Sequence, residues 1–183
     1  KINKKELSPM KPFEFTSRDG LTLRGYITIP KNTDGKKVPL IINPHGGPFG
    51  VRDGWGYNPD TQFLASRGYA VVQVNFRGSG GYGVRYLTAG YKQWGKKMQQ
   101  DVYDSIDWLE KQNIVDNDNA CFVGWSYGGY AALTAAYQKP DDFKCIVSIA
   151  GISDLAGMAY RESRSRGSLK DYVLMQIGDP DDA

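Results

Sequence analysis

The chain has 183 residues, enough for one domain with a sizeable core, and its 40% hydrophobic and 23% charged content is that of an ordinary globular protein. A net charge of +3 is too small to argue for nucleic acid or an anionic membrane as partner, and no apolar run approaches the length of a membrane span. The opening Lys1-Ile-Asn-Lys-Lys-Glu6 lacks the apolar centre of a signal peptide, so localisation stays open.

Residues 1–11 are polar and lysine-rich and read as a linker, or as a strand arriving from a preceding domain; residues 12–183 carry the folded pattern. Phe13 to Ser17 alternates, Arg18-Asp-Gly20 turns the chain, and Leu21 to Ile29 alternates again, which predicts a hairpin. Val38 to Asn43 is a buried strand running into Pro44-His-Gly-Gly-Pro48. Tyr57 to Arg67 reads as a helix with Phe63 and Leu64 inward, and Tyr69 to Phe76 as an apolar strand. Arg77 to Gly83 is a glycine-rich loop, and no helical periodicity opens at Gly83.

A long helix follows, with Val102, Ile106 and Leu109 on one face and Asp101, Asp104 and Asp107 between them. Ala120 to Val123 is a strand, Tyr130 to Tyr137 a packed helix, and Phe143 to Ala150 a further strand. Cys121 and Cys145 both fall in apolar strand-like runs and are expected as reduced core residues. Ser153 to Met158 and Leu169 to Ile177 are expected helices. Alternating strands and helices with near-continuous apolar strands predict an α/β fold. Its sheet is mostly parallel, covered on both faces and entered through an antiparallel hairpin.

Between the strand at Ala120 and the helix at Tyr130, Gly124-Trp-Ser-Tyr-Gly128 fits the G-x-S-x-G nucleophile elbow in the setting that motif requires. A serine on so sharp a turn is forced into strained dihedrals, and Gly124 and Gly128 let neighbouring backbone pass without a Cβ clash. The helix that follows directs its free N–H groups to the point where an oxyanion would form at Ser126. Upstream, His45-Gly46-Gly47-Pro48 stands at the carboxyl end of a central strand, where open α/β sheets place their ligands. Two glycines leave backbone N–H groups uncovered for an oxyanion, as in the HGGG-type loops that accompany the elbow. A side chain at Gly47 is expected to enter the space the oxyanion occupies.

His45 is the single histidine and lies 81 residues before Ser126. An elbow hydrolase runs Ser, then acid, then His, so His45 reads as a ring that hydrogen-bonds the oxyanion loop into shape and not as the base. Gly78 to Gly83 also satisfies G-x-G-x-x-G, with Asp101 about twenty residues on. Asp101 begins a helix, however, and does not end a second strand, so dinucleotide binding is rejected. Arg77 is either a loop anchor or a surface charge.

Pro44-His-Gly-Gly-Pro48, Gly68 to Ser79, Gly81-Tyr-Gly83 and Gly124 to Tyr130 together resemble the prolyl oligopeptidase family of serine peptidases. Within it the chain is most similar to the acylaminoacyl-peptidase and dipeptidyl-peptidase-like branches, from about Phe13 to Pro180. That resemblance implies an α/β-hydrolase fold, Ser126 as nucleophile, and Gly47 and Tyr127 as backbone oxyanion donors. It also implies short peptides as substrates, no metal or organic cofactor, and a β-propeller preceding residues 12–183. The family's catalytic Asp and His would lie beyond Ala183, since no histidine follows Ser126 and Asp179, Asp181 and Asp182 do not match the acid. The chain alone is then expected to be close to inactive, because an oxyanion hole without a base supplies at most roughly 10³-fold.

Two other readings use the same residues: a carboxylester hydrolase, and a non-catalytic binding module that keeps the fold. The sheet is expected to stop short of its last strands. That would leave Lys144 to Ala150 as an exposed apolar edge along which a second copy, or another segment of the same protein, pairs.

Overall fold

The alternation around Arg18-Asp-Gly20 folds as an antiparallel hairpin of β1 (Met10–Thr16) and β2 (Thr22–Thr28), with Phe13 opposite Gly25. Gly25 is required there: a Cβ would stand 2.5 Å from the Gln73 carbonyl and 2.7 Å from the Phe13 ring. The computed structural model describes residues 3–165 and 167–182; Lys1 and Ile2 of the polar N-terminal segment lie outside them. Met10 and Lys11 are already strand, and Ser8 is buried with its N–H donating to Gln62, so that segment joins the body earlier than its composition implies.

The chain continues through β3 (Val38–Ile42), α1 (Pro59–Ala65), β4 (Ala70–Asn75), α2 (Val84–Thr88) and α3 (Lys97–Lys111). It then forms β5 (Val115–Trp125), α4 (Tyr127–Gln138), β6 (Cys145–Ile149), α5 (Leu155–Ser163) and α6 (Ser168–Gln176). The six strands make one sheet in the order β1-β2-β4-β3-β5-β6. β4, β3, β5 and β6 run parallel, and β2 meets β4 antiparallel. This is the α/β-hydrolase arrangement. All six residues of β4 are buried, as a strand covered on both faces requires. Leu40, Ile42, Val72, Val74 and Phe122 form the centre of the core, with Met98, Val102 and Leu109 of α3 and Ala131, Ala132 and Ala135 of α4 packed around them.

Several expectations are corrected. Phe63 points outward at 57% exposure, beneath the Arg67 guanidinium, while Thr61 and Ala65 are the buried residues of α1. Thr61 and Ala65, one turn apart, form the face toward the sheet, where Thr61 meets Gln73, and this leaves Phe63 on the opposite side. Asn58 accepts from the Thr61 N–H ahead of Pro59, which starts the helix two residues later than its periodicity suggests. A short helix, α2, does open after Gly83. β5 starts five residues before Ala120, and its pairing with β3 shifts between Pro39 and Leu40, whose partners are Asp116 and Ala120.

Cys121 and Cys145 are not reduced core thiols: they are disulfide-bonded to each other. They are direct register partners on neighbouring strands, and Cys145 is exposed on β6, an edge strand of the sheet among the described residues. No helix among the described residues is long and apolar enough to cross a membrane.

Candidate active site

Ser126 occupies the turn between β5 and α4 at φ 53° and ψ −116°, a conformation that a residue with a side chain adopts only under constraint. The constraint is visible on both sides. A Cβ on Gly124 would overlap the backbone of Gly128, and a Cβ on Gly128 would overlap the carbonyl of Pro44. The turn is thus folded on itself and pressed against the start of the loop after β3. The Ser126 N–H donates to the Ile149 carbonyl of β6 at 3.0 Å, and its carbonyl accepts from Tyr130 as the first bond of α4. Ser126 is exposed at the carboxyl end of the sheet, whereas Tyr127 is fully packed among Phe76, Trp94 and Tyr130. The Tyr127 N–H belongs to the first turn of α4 and has no partner within the helix.

The loop after β3 lies over this turn. A Cβ built on Gly46 would come within 3.3 Å of the Trp125 carbonyl, 3.4 Å of the Ser126 Cβ and 3.9 Å of its Oγ. Gly47 is exposed at φ +113°, open to glycine and strained for other residues. Its missing Cβ points at the Val51 side chain and not at the space above Ser126, so the expected reason for Gly47 is corrected. Gly46 is the glycine that leaves room for Ser126. Pro48 is buried, and the Gly47–Pro48 peptide is cis.

His45 holds this loop. Its Nδ1 lies 2.7 Å from the Gly46 carbonyl, in the same peptide unit that carries the Gly47 N–H. Its Nε2 lies 2.8 Å from Ser79 Oγ, and the ring stacks on Phe76 at 4.4 Å. Burial pushes the imidazole down to about 4, so the ring is neutral near pH 7, with Nδ1–H donating to the Gly46 carbonyl.

Arg77 proves to be an anchor. It is 4% exposed and donates to Asp101 through its backbone N–H, Nε and Nη2, and to Asp19 through Nη1 and Nη2. These bonds tie the glycine-rich loop to α3 and to the β1–β2 turn at once. The guanidinium holds the Asp19 carboxyl well below the usual carboxylate range. Asp101, the residue that imitated a ribose ligand in the sequence, is consumed by this ion pair. Asn43 joins the strands beneath the site: its N–H donates to the Val72 carbonyl and its Nδ2 to the Val123 carbonyl, both at 2.8 Å.

Other polar residues escaped the sequence reading. Ser79 belonged to a loop judged by its glycines alone. Gln73 and Asn75 were visible as polar side chains inside an otherwise apolar strand, a pattern that signals a buried hydrogen-bonded site. Among the described residues no group of three or more His, Cys, Asp or Glu side chains is placed to hold a metal ion. A cavity of about 380 Å³ bordered by Tyr103, Asn117, Phe143 and Lys144 opens toward the amino ends of β5 and β6, away from Ser126.

Known proteins resemble this chain in sequence and in fold. The sequence profile of the prolyl oligopeptidase family matches residues 55–182. The chain is 42% identical to dipeptidyl aminopeptidase BIII of Pseudoxanthomonas mexicana, over 98% of its own length and 27% of that protein. It is 35% identical to dipeptidyl peptidase family member 6 of Caenorhabditis elegans, over 86% of its length and 24% of that protein. It superposes on the acylaminoacyl peptidase of Pyrococcus horikoshii with a TM-score of 0.84 at 32% identity, covering 98% of this chain and 29% of that one. The chain therefore spans about a quarter of the length of the curated relatives it matches.

Proposed function

The chain belongs to the prolyl oligopeptidase family of serine peptidases, and from that premise we propose that it carries the nucleophile and oxyanion hole of a peptidase acting on short peptides. Ser126 Oγ attacks the scissile carbonyl. The carbonyl oxygen takes up the negative charge and accepts hydrogen bonds from the N–H groups of Gly47 and Tyr127. The Ser126 proton passes to a histidine, oriented by an aspartate, that follows Ser126 in chain order as in other elbow hydrolases. That base then protonates the leaving amine, and water hydrolyses the acyl-serine with the same two N–H groups holding the second oxyanion. His45 serves through its bond to the Gly46 carbonyl, which fixes the peptide unit of the Gly47 donor.

The observation that carries this reading is the strained φ of Ser126 at the head of α4, with Gly46 directly against it. A fluorophosphonate probe applied to a full-length peptidase carrying this chain is expected to label Ser126 and no other residue. Ser126→Ala is expected to abolish both labelling and peptide cleavage with the melting temperature nearly unchanged. Cleavage that survives the substitution would overturn the assignment.

A further inference from the structure

We propose that Asp53 is a positioning residue for the oxyanion loop, its carboxyl clamping the segment that carries Gly46 and Gly47 onto the carboxyl end of β4. The segment after Pro48 folds back along the glycine-rich loop: Gly50 N–H donates to the Gly78 carbonyl at 3.1 Å, and Gly80 N–H to the Val51 carbonyl at 2.8 Å. The two runs touch backbone to backbone where a Cβ on Gly80 would overlap Gly50. Asp53 closes the far end. Its N–H donates to Asn75 Oδ1 at 2.8 Å, its carbonyl accepts from Asn75 Nδ2 at 3.1 Å, and its Oδ1 accepts from Gln73 Nε2 at 2.8 Å. The loop is therefore pinned by His45 at one end and by Asp53 at the other, with Gly47 and its N–H between the two pins. This role rests on the reading of Gly47 as an oxyanion donor.

The carboxyl has an unequal environment. Oδ1 has its donor from Gln73, whereas Oδ2 is closed off from solvent and has no hydrogen-bond partner. An ionised carboxylate with one oxygen buried and unsolvated is disfavoured, so the site selects the neutral acid. Burial pushes Asp53 up to about 7, with the Gln73 bond opposing.

No opposite charge offsets this. The groups bonded to Asp53 are Gln73 and Asn75 of β4, with Thr61 of α1 donating to Gln73 Oε1 behind them; none is titratable, and Asp53 makes no ion pair among the described residues. Beyond Asn75 stand the Tyr82 hydroxyl and Tyr86, whose phenol is itself pushed up by burial. The guanidinium groups of Arg24 and Arg52 lie over the Tyr82 ring at 5.7 and 5.5 Å. The clamp is thus held by a neutral carboxyl and loosens as the pH rises through about 7.

The test uses a full-length protein carrying this chain, the fluorophosphonate labelling rate of Ser126, and the variants Asp53→Asn and Asp53→Ala. Asparagine keeps the acceptor for Gln73 and cannot ionise. The Asp53→Asn rate is expected to match wild type at pH 6 and to exceed it several-fold at pH 8.5. Asp53→Ala is expected to label at least ten-fold more slowly at both values. In parallel, Trp55, two residues on and edge-to-face with Tyr26 at 6.2 Å, is expected to show a wild-type fluorescence transition near pH 7 that Asp53→Asn lacks. A labelled Ser126 whose rate is indifferent to Asp53→Ala, or a variant-to-wild-type ratio constant with pH, would overturn the positioning role alone. A wild-type protein in which Ser126 takes no label would overturn the hydrolase reading and this role with it.

Discussion

At the scale of single residues, the site is governed by where side chains are missing. Gly47 combines φ +113° with a Cβ direction that runs into Val51, so substitution moves the loop backbone and with it the N–H proposed as an oxyanion donor. Gly47→Val is expected to lower kcat by the value of one oxyanion donor, about 3–4 kcal/mol in the transition state, with KM little changed. Steady-state kinetics of the full-length enzyme measures the split; a change confined to KM would make Gly47 a substrate wall. His45 gives a separate signature. Its folded value of about 4 lies below the ordinary histidine range near 6.5, so the unfolded chain binds the proton more readily between those values. Its contribution to stability is fully present above about pH 6.5 and is lost as the pH falls toward 4. Melts of wild type and His45→Gln across pH 4–7 should converge at the acid end.

At the scale of elements, the glycine-rich loop after β4 keeps its shape because Arg77 is bonded to two segments distant in sequence. Removing the guanidinium leaves Asp101, which is fully buried, without its counter-ion. Arg77→Met is expected to destabilise by about 3–5 kcal/mol, as for other broken buried ion pairs. Replacing both partners with Arg77→Met and Asp101→Leu should recover much of that loss, and denaturant unfolding of the four proteins closes the cycle. The sequence showed the elements well wherever period and punctuation agreed, as in the β1–β2 hairpin and α3. It misled where a polar residue, Thr61, takes the buried face of α1 and leaves Phe63 outward, and where no period existed to find, in the five residues of α2. The elbow and its loop were legible because each is a short run of fixed spacing, although Gly128 and Gly46 answer to contacts far away in the chain, at Pro44 and at Trp125 and Ser126. Arg77 to Asp19 and Asp53 to Gln73 were not, since such pairs depend on which strands become neighbours.

At the scale of the whole molecule, the sheet among the described residues ends in an edge strand on each side, β1 and β6. Among the described residues β6 pairs with β5 alone, none of its residues is buried, and Val147 is 41% exposed. The apolar side chains of Leu133 and Tyr137 on α4 are also exposed. An unpaired apolar edge of this kind recruits a further strand, so the 183-residue chain expressed by itself is expected to self-associate. Light scattering after size exclusion reads this directly; a monodisperse, cooperatively melting monomer would show the edge to be protected. The Cys121–Cys145 bond fastens that edge strand to the strand that ends in Ser126. Cys145→Ser is expected to lower stability by up to about 3 kcal/mol, read as a drop in melting temperature under non-reducing conditions that vanishes when both proteins are reduced.

The backbone-on-backbone contacts of the elbow bear on descent. Gly124 against Gly128, Gly128 against Pro44 and Gly80 against Gly50 are demands of space and not of chemistry. A descendant that abandoned hydrolysis would still need every one of those glycines in order to fold, while nothing would preserve its serine. Among distant cousins, then, glycines spaced around an elbow testify to shared ancestry, and the hydroxyl between them is the letter that distinguishes a working enzyme from its silent copy.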